Sequence, residues 1–532
     1  MSATKPLLAE RRDRFAFVAG CLAVTAGVAL HLPMFWMGRT MGFRLAGMPM
    51  DPGMIWGMAL IVLGIGVAGY GLLPKARAGE APPPAMTVTA PEDATLGLAH
   101  WVVMAVLTIA LVIDVMKPAS LGFVVPGMIK EYGVTPKVVA WLPLSALAGT
   151  VLGSVAWGAL ADIYGRRATI LLSAVMFVGT AICGAMPSLW WNVLMCFLMG
   201  AAAGGMLPVT YALLAEIFPT KHRGWALVLV GGLGSAGGYL AASSLSAVLQ
   251  PLFGWRIMWL LNLPTGLLLI LFSAFIPESA KFLLSLGRVE EAQATLRRFG
   301  SAIRPAGTQA GPPTDSVSEL APPPTARRLM GATWALSLTG LAWGLINFGL
   351  LLWMPAHLVA KGYSMGLSSS LLAASALIAL PTVFLAAFFY SRWSTKGALI
   401  GAIVVTALGL LGLLWLELAS SKDASPVLPV ALIIVGVNAV IAIILPYTAE
   451  SYPLRIRGRA TGWVSACTKA GGLIAQVLGV LALAPGLGVA VLLVLGPVVV
   501  AIGLVLGFCA ETRGRDLRDL DVQPSSATAL AE

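Results

Sequence analysis

Apolar residues along this chain come in blocks of about twenty, without alternation inside them, and polar residues gather between the blocks. A helix rises 1.5 Å per residue, so one such block spans a hydrocarbon layer of ~30 Å. Lipid offers no partners to backbone N–H and C=O groups, which leaves helices and closed barrels as the spanning structures. Barrel strands are short and alternate apolar with polar positions. The blocks here do neither, so they predict helices. They fall at residues 15–35, 55–73, 101–125, 138–161, 168–186, 190–217, 225–248, 256–276, 331–355, 367–391, 397–416, 427–448, 460–483 and 488–509, fourteen spans in all. The last twelve divide six and six around a polar stretch, 277–330, which opens with a helical part at 278–299. It continues as a Pro/Gly/Ser-rich linker that includes Pro312, Pro313 and Pro322 to Pro324. The expected organisation is an extension with two spans (1–99), a six-helix bundle (100–276), a cytoplasmic loop (277–330), a second six-helix bundle (331–510) and a tail (511–532).

Composition supports the membrane reading. The chain is 58% hydrophobic and 11% charged, against ~25% charged residues in a soluble domain. The net charge of +11 does not point to nucleic acid, because the cations lie between apolar blocks rather than in a stripe with aromatics. With the N-terminus placed in the cytoplasm, 25 Lys and Arg fall on that side and 7 on the other, with Lys117 and Lys469 inside spans. That bias is the positive-inside pattern. It predicts a multi-pass cell-membrane protein, in a bacterial inner membrane, with both termini cytoplasmic. Arg11, Arg12 and Arg14 ahead of the first block resemble the start of a signal peptide. The block is long for a signal core and no small-x-small cleavage site follows, so it reads as a retained span.

Five cysteines, all in apolar stretches and without CxxC spacing, argue against a disulfide framework. The four histidines have no metal-ligand spacing. Met34, Met37, Met41, Met48, Met50 and Met54 make the stretch after the first span methionine-rich, which reads as adaptable packing rather than a soft-metal site. No cofactor is expected.

A shift of 234 residues aligns A-E-I-F-P-T-K-H-R-G at 215–224 with A-E-S-Y-P-L-R-I-R-G at 449–458, each at the end of the fourth span of its half. Repeated halves are a common construction of secondary transporters, with substrate held between them near the midplane. Pro219 and Pro453 end a helix because proline cannot continue the ladder. Glu216 and Glu450 sit one turn inside that end, and Arg223 and Arg457 open the next helix. A carboxylate and a guanidinium so placed can pair as a gate that opens, or as a fixed brace.

G-A-L-A-D-I-Y-G-R-R-A-T-I at 158–170, together with the repeated Glu and Arg, resembles the major facilitator superfamily. P-E-S-A-K-F-L-L-S-L-G-R at 277–288 and E-T-R-G-R-D-L at 511–517 are similar to its sugar-porter and metabolite:proton-symporter branches. The resemblance covers residues 100–517. It implies that Asp162 joins Arg166 and Arg167 in a cytoplasmic network that breaks on switching to inward-open. The matching loop of the second half, 391–397, carries Arg392 where an aspartate is expected, which puts a second copy of that latch in doubt. It also implies that Tyr211, Trp343, Asn347 and Asn438, on the fourth, seventh and tenth spans of the twelve, line a substrate cavity.

Three ionisable residues lie well inside spans: Asp114, Lys117 and Lys469. Such residues cost ~2.5–3.5 kcal/mol on insertion and face a cavity or a partner. Asp114 and Lys117 share a helix face. Asp114 is the candidate proton-coupling group, since burial and a neighbouring lysine pull its proton affinity in opposite directions. The alternative is a permanent neutral pair with Lys117. Lys117 and Lys469 are candidate substrate contacts, and a formal cavity charge of +1 favours an organic anion.

These features describe a monomeric, proton-coupled transporter of a small metabolite, with symport favoured over efflux by antiport. An enzyme would need clustered nucleophiles or a metal set, and a transporter-like sensor would need a folded signalling domain. ATP-driven transport would need a Walker sequence, and none is present.

Overall fold

The computed structural model describes residues 11–72, 86–89, 96–204, 206–285, 288–300, 302–305, 326–360, 362–419, 425–452, 454–481, 483 and 486–513. The N-terminal extension holds α1 (Arg11–Ala29), α2 (Leu32–Met37) and α3 (Pro52–Leu72). The first bundle follows with α4 (Leu98–Tyr132), α5 (Pro136–Val139), α6 (Trp141–Tyr164), α7 (Arg166–Gly179), α8 (Leu189–Ala203), α9 (Met206–Ile217), α10 (Thr220–Phe253), α11 (Ile257–Leu260) and α12 (Asn262–Phe272). Two short helices occupy the loop, α13 (Ala280–Ser285) and α14 (Val289–Arg298). The second bundle holds α15 (Ala326–Gly344), α16 (Leu352–Ala360), α17 (Met365–Ala379), α18 (Thr382–Arg392), α19 (Thr395–Leu418), α20 (Val427–Ser451), α21 (Leu454–Val480) and α22 (Leu487–Phe508).

The protein is thus an all-helical, multi-pass membrane protein of two bundles plus an extra pair of helices. Among the described residues, thirteen helices are long and apolar enough to cross a membrane. The span expected at 190–217 is the exception. It is described in two stretches, α8 and α9, and Gly204 after α8 keeps helical angles and donates its N–H to the Gly200 carbonyl. Conversely α4 runs unbroken through Pro118 and Pro126 to Tyr132, beyond the boundary expected from hydropathy. A short antiparallel pair of strands, β1 (Met86–Thr89) and β2 (Ala302–Pro305), links the connector after α3 to the loop between the bundles.

Helices within each bundle meet through small residues, as membrane helices do when close backbone contact drives association. A Cβ added at Gly200 of α8 would sit 1.9 Å from the Ala146 carbonyl of α6, and one at Gly471 of α21 would sit 2.1 Å from the Leu341 carbonyl of α15. Between α15 and α16 the chain makes a π-helical turn, Leu345–Leu351, a form frequent at functional sites.

In the extension, α1 and α3 run antiparallel with their glycines in contact: Gly20 meets Gly64 and Ala68, and Gly27 meets Gly57 and Ile61. The loop between them is anchored on the first bundle. The Glu131 carboxylate accepts the backbone N–H of Leu45 (2.7 Å) and Ala46 (3.0 Å), the indole N–H of Trp255 (2.7 Å) and Nη2 of Arg256 (2.7 Å). Arg256 is fully buried and also donates to the carbonyls of Gly184 and Met186 and to the Tyr132 hydroxyl.

Candidate functional site

A cavity of about 170 Å3 lies between the two bundles. The first bundle contributes Asp114 and Lys117 from α4, Tyr211 from α9 and Tyr239 from α10. The second contributes Trp343 from α15, Asn347 from the π turn, Asn438 from α20 and Lys469 from α21. Seven residues singled out from sequence therefore converge on one space, and Tyr239 joins them. Asp114 lies sixteen residues after Leu98 and Lys469 fifteen after Leu454, or about 24 and 22 Å along their helices.

The charges are arranged unequally. Oδ1 of Asp114 is buried without a hydrogen-bond partner among the described residues, and Asp114 lies within electrostatic reach of both Lys117 and Lys469. Lys469 donates to the Ser465 hydroxyl, 3.2 Å away on its own helix. Lys117 is 2% exposed, with its ammonium over the Phe177 ring; α4 continues for four turns beyond it, so snorkelling to the surface is closed to it. Asp114 and Lys117 do not form a contact ion pair, which removes the tight neutral couple as a description of this pair. A buried carboxylate held near two cations and bonded to neither can exchange partners as a ligand enters.

The remaining lining divides into walls and donors. The indole N–H of Trp343 is committed to the Val437 carbonyl (2.9 Å), and its ring meets Phe348 edge-on at 5.6 Å, so it acts as an apolar wall. By contrast the hydroxyls of Tyr211 and Tyr239 and Nδ2 of Asn438 are buried without partners among the described residues. A buried polar group left unpaired costs ~1–3 kcal/mol, and a ligand in the cavity is what can pair it. The Tyr211 hydroxyl would overlap any side chain at Gly231, which explains the glycine there.

A second set of residues gathers at the end that carries the repeated signature. Gly165, at φ 96° between α6 and α7, leaves no room for a Cβ beside Glu278. Glu278 accepts the backbone N–H of Arg166 (2.7 Å) and of Arg167 (3.2 Å), capping α7 from a distant segment. Burial pushes the Glu278 carboxyl above its usual range, against the pull of those N–H groups. Glu216 accepts the Ser279 hydroxyl and lies 3.6 Å from Arg166. The sequence suggested a partner within each signature; Glu216 instead finds its partners in the neighbouring loop and the segment after α12.

In the second half Glu450 accepts the hydroxyls of Tyr390 (2.7 Å) and Thr512 (2.9 Å), and Arg223 of the first half acts on it electrostatically. The side chains of Asp162 and Arg457 lie outside the described ones. Sequence reasoning gave no role to Tyr390, Ser279 and Thr512; Ser279 and Thr512 stand inside the motifs at 277–288 and 511–517, each as a hydroxyl beside a glutamate rather than a charge.

The family model described as "Major Facilitator Superfamily" matches residues 96–476. The niacin transporter NiaP of Acinetobacter baylyi is 27% identical over 400 residues, covering 73% of this chain and 88% of that one. The benzoate transport protein of the same organism is 24% identical over 402 residues, covering 73% and 84%. The gentisate transporter of Corynebacterium glutamicum is 26% identical over 390 residues, covering 69% and 78%. Among solved structures, the partially occluded inward-open xylose transporter XylE of E. coli aligns with a TM-score of 0.62 at 17% identity, covering 79% of this chain and all of that one; this likeness concerns the fold. The match across both bundles, over a cavity placed between them, means that this chain belongs to the major facilitator superfamily of membrane transporters.

Proposed function

We propose that this protein is a proton-coupled symporter for a small aromatic or heteroaromatic carboxylate, working by alternating access in a bacterial inner membrane with the signature end and both termini in the cytoplasm. The observation that carries the reading is Asp114, a buried carboxylate without a contact partner, set between Lys117 of its own bundle and Lys469 of the other. A substrate carboxylate entering beside Lys469 competes with Asp114 for the cation. Asp114 then holds a proton more readily, so substrate and proton travel together. The segments 100–276 and 331–510 are the bodies that rock around the cavity, in a monomer. Relatives named for niacin, benzoate and gentisate transport support the substrate class. The cavity of about 170 Å3 is smaller than the ~300–1,000 Å3 of pockets that take drug-sized ligands, which favours a metabolite over a bulky export substrate.

The test is uptake into proteoliposomes of nicotinate, benzoate, gentisate and glucose, with and without an inward proton gradient. The carboxylates are expected to accumulate with the gradient. Asp114→Asn is expected to abolish gradient-driven accumulation while sparing exchange of labelled for unlabelled substrate. Accumulation that survives in this variant, or full competition by neutral sugars with none among carboxylates, would overturn the proposal.

A further inference from the structure

We infer that Tyr239 is a specificity-determining residue, whose hydroxyl selects acids that carry a second hydrogen-bonding group on the ring over unsubstituted ones. The inference rests on the carboxylate reading above and deepens it. Tyr239 lies on α10, beside α4. Gly234, Gly237 and Gly238 bring the two helices so close that added Cβ atoms would meet Leu111, Val112 and Val115 at 2.5–2.9 Å. This packing leaves α10 little freedom to turn and places Tyr239 next to the level of Asp114. Its ring rests against Phe123, centroids 5.8 Å apart, so the hydroxyl is aimed by packing rather than by a hydrogen bond.

Tyr239 lines the cavity, and its hydroxyl is buried without a partner among the described residues. From the facing bundle, Nδ2 of Asn438 is in the same condition. The charged centre can hold one carboxylate. An unpaired phenol from one bundle and an unpaired amide donor from the other call for something more: an acceptor or hydroxyl elsewhere on the ligand. A site built to hydrogen-bond a substrate group discriminates strongly against the analogue that lacks it, because its own buried polar atoms then stay unpaired. A bare benzoate fits the charge and leaves both groups unmet; a hydroxybenzoate or a pyridine carboxylate can meet them.

The experiment measures transport KM in proteoliposomes, and Kd by calorimetry on the purified protein, for benzoate, 3-hydroxybenzoate, 4-hydroxybenzoate and nicotinate. Wild type and Tyr239→Phe are compared. Wild type is expected to prefer at least one substituted acid over benzoate. Tyr239→Phe is expected to shrink that preference, read as the ratio of substituted acid to benzoate within each protein, about five- to tenfold, the worth of one neutral hydrogen bond. Folding of the variant is checked by its size-exclusion profile and melting temperature. If wild type handles these acids and the preference is the same in the variant, or if all of them weaken equally, the inference fails and the carboxylate reading stands. If wild type neither binds nor transports any of them, both fail.

Discussion

Each half of the molecule is followed by a carboxylate and a hydroxyl in succession: Glu278 and Ser279 after α12, Glu511 and Thr512 after α22. Both pairs do the same two jobs. The carboxylate caps a helix of its own half, Glu278 on α7 and Glu511 on α19, where it accepts Thr395 N–H at 2.9 Å. The hydroxyl donates to the signature glutamate, Ser279 to Glu216 and Thr512 to Glu450. The surroundings differ. Glu278 is half-buried, and burial lifts its carboxyl despite three backbone N–H groups. Burial also lifts Glu511, but the hydroxyls of Ser394 and Thr395 and the N–H groups of Thr395 and Arg513 outweigh it and hold the group at about 2. The signature glutamates differ too. Glu216 is bonded within its own half, to Ser279 and Arg166. Glu450 faces Arg223 of the other half and, with no acidic residue in the loop after α18, takes its support from Tyr390 and the C-terminal segment. The signature glutamate of the first half is thus bonded within that half, whereas Glu450 lies beside the first half, its Oε1 3.8 Å from a Cβ built at Gly224.

The comparison can be broken first where the halves should agree. Gly200→Leu and Gly471→Leu each drive a side chain into a facing backbone carbonyl, at 1.9 and 2.1 Å from the Cβ alone. Overpacking of this kind costs ~1–3 kcal/mol or more. Both variants should lose most monodisperse protein in size-exclusion chromatography, to a similar degree. A large difference would mean that one bundle tolerates separation of its helices.

The two carboxylates should disagree, and in sign. Glu511 is depressed from 4.5 to about 2, so its charged form stabilises the fold above pH 4.5 and that contribution is lost as pH falls toward 2. The melting difference between wild type and Glu511→Gln should therefore grow from pH 2 to 4.5 and then level. Glu278 is raised, so ionisation burdens the fold, and wild type should lose ground to Glu278→Gln as pH rises above 4.5. Parallel curves would erase the asymmetry.

The smallest effects concern the hydroxyls. Ser279→Ala removes the bonds of its hydroxyl to Glu216 and to the Phe282 N–H, and Thr512→Val those to Glu450 and to the Thr395 hydroxyl, each worth ~1 kcal/mol. Ser279→Ala should lower thermal stability alone. Thr512→Val should also change transport rate, because its glutamate faces the other half. Equal transport in both variants would make the two glutamates alike.

Most of the frame was legible in the sequence. Hydropathy and the repeated signature outlined the two bundles, charges inside apolar blocks named Asp114, Lys117 and Lys469, and the family resemblance named the other four of the seven cavity residues. The repeat of Glu278-Ser279 as Glu511-Thr512 escaped notice because its spacing of 233 differs by one from that of the signature and because serine and threonine share chemistry rather than identity. Tyr239 carries no charge and sits in a glycine-rich helix, so nothing in the pattern marked it. The Glu131 hub joins residues up to 125 apart, and local patterning holds no trace of such a meeting.

That hub has a mechanical consequence. With the α1–α3 loop bonded to Glu131 and the helices of the extension packed on the first bundle, the extension adds its two helices to the first half and leaves the second half without a counterpart. A see-saw with unequal arms does not swing evenly in a viscous medium. In the rocking motion proposed above, the wider arm displaces more lipid for each degree of tilt, so the lighter second bundle should make the larger excursion.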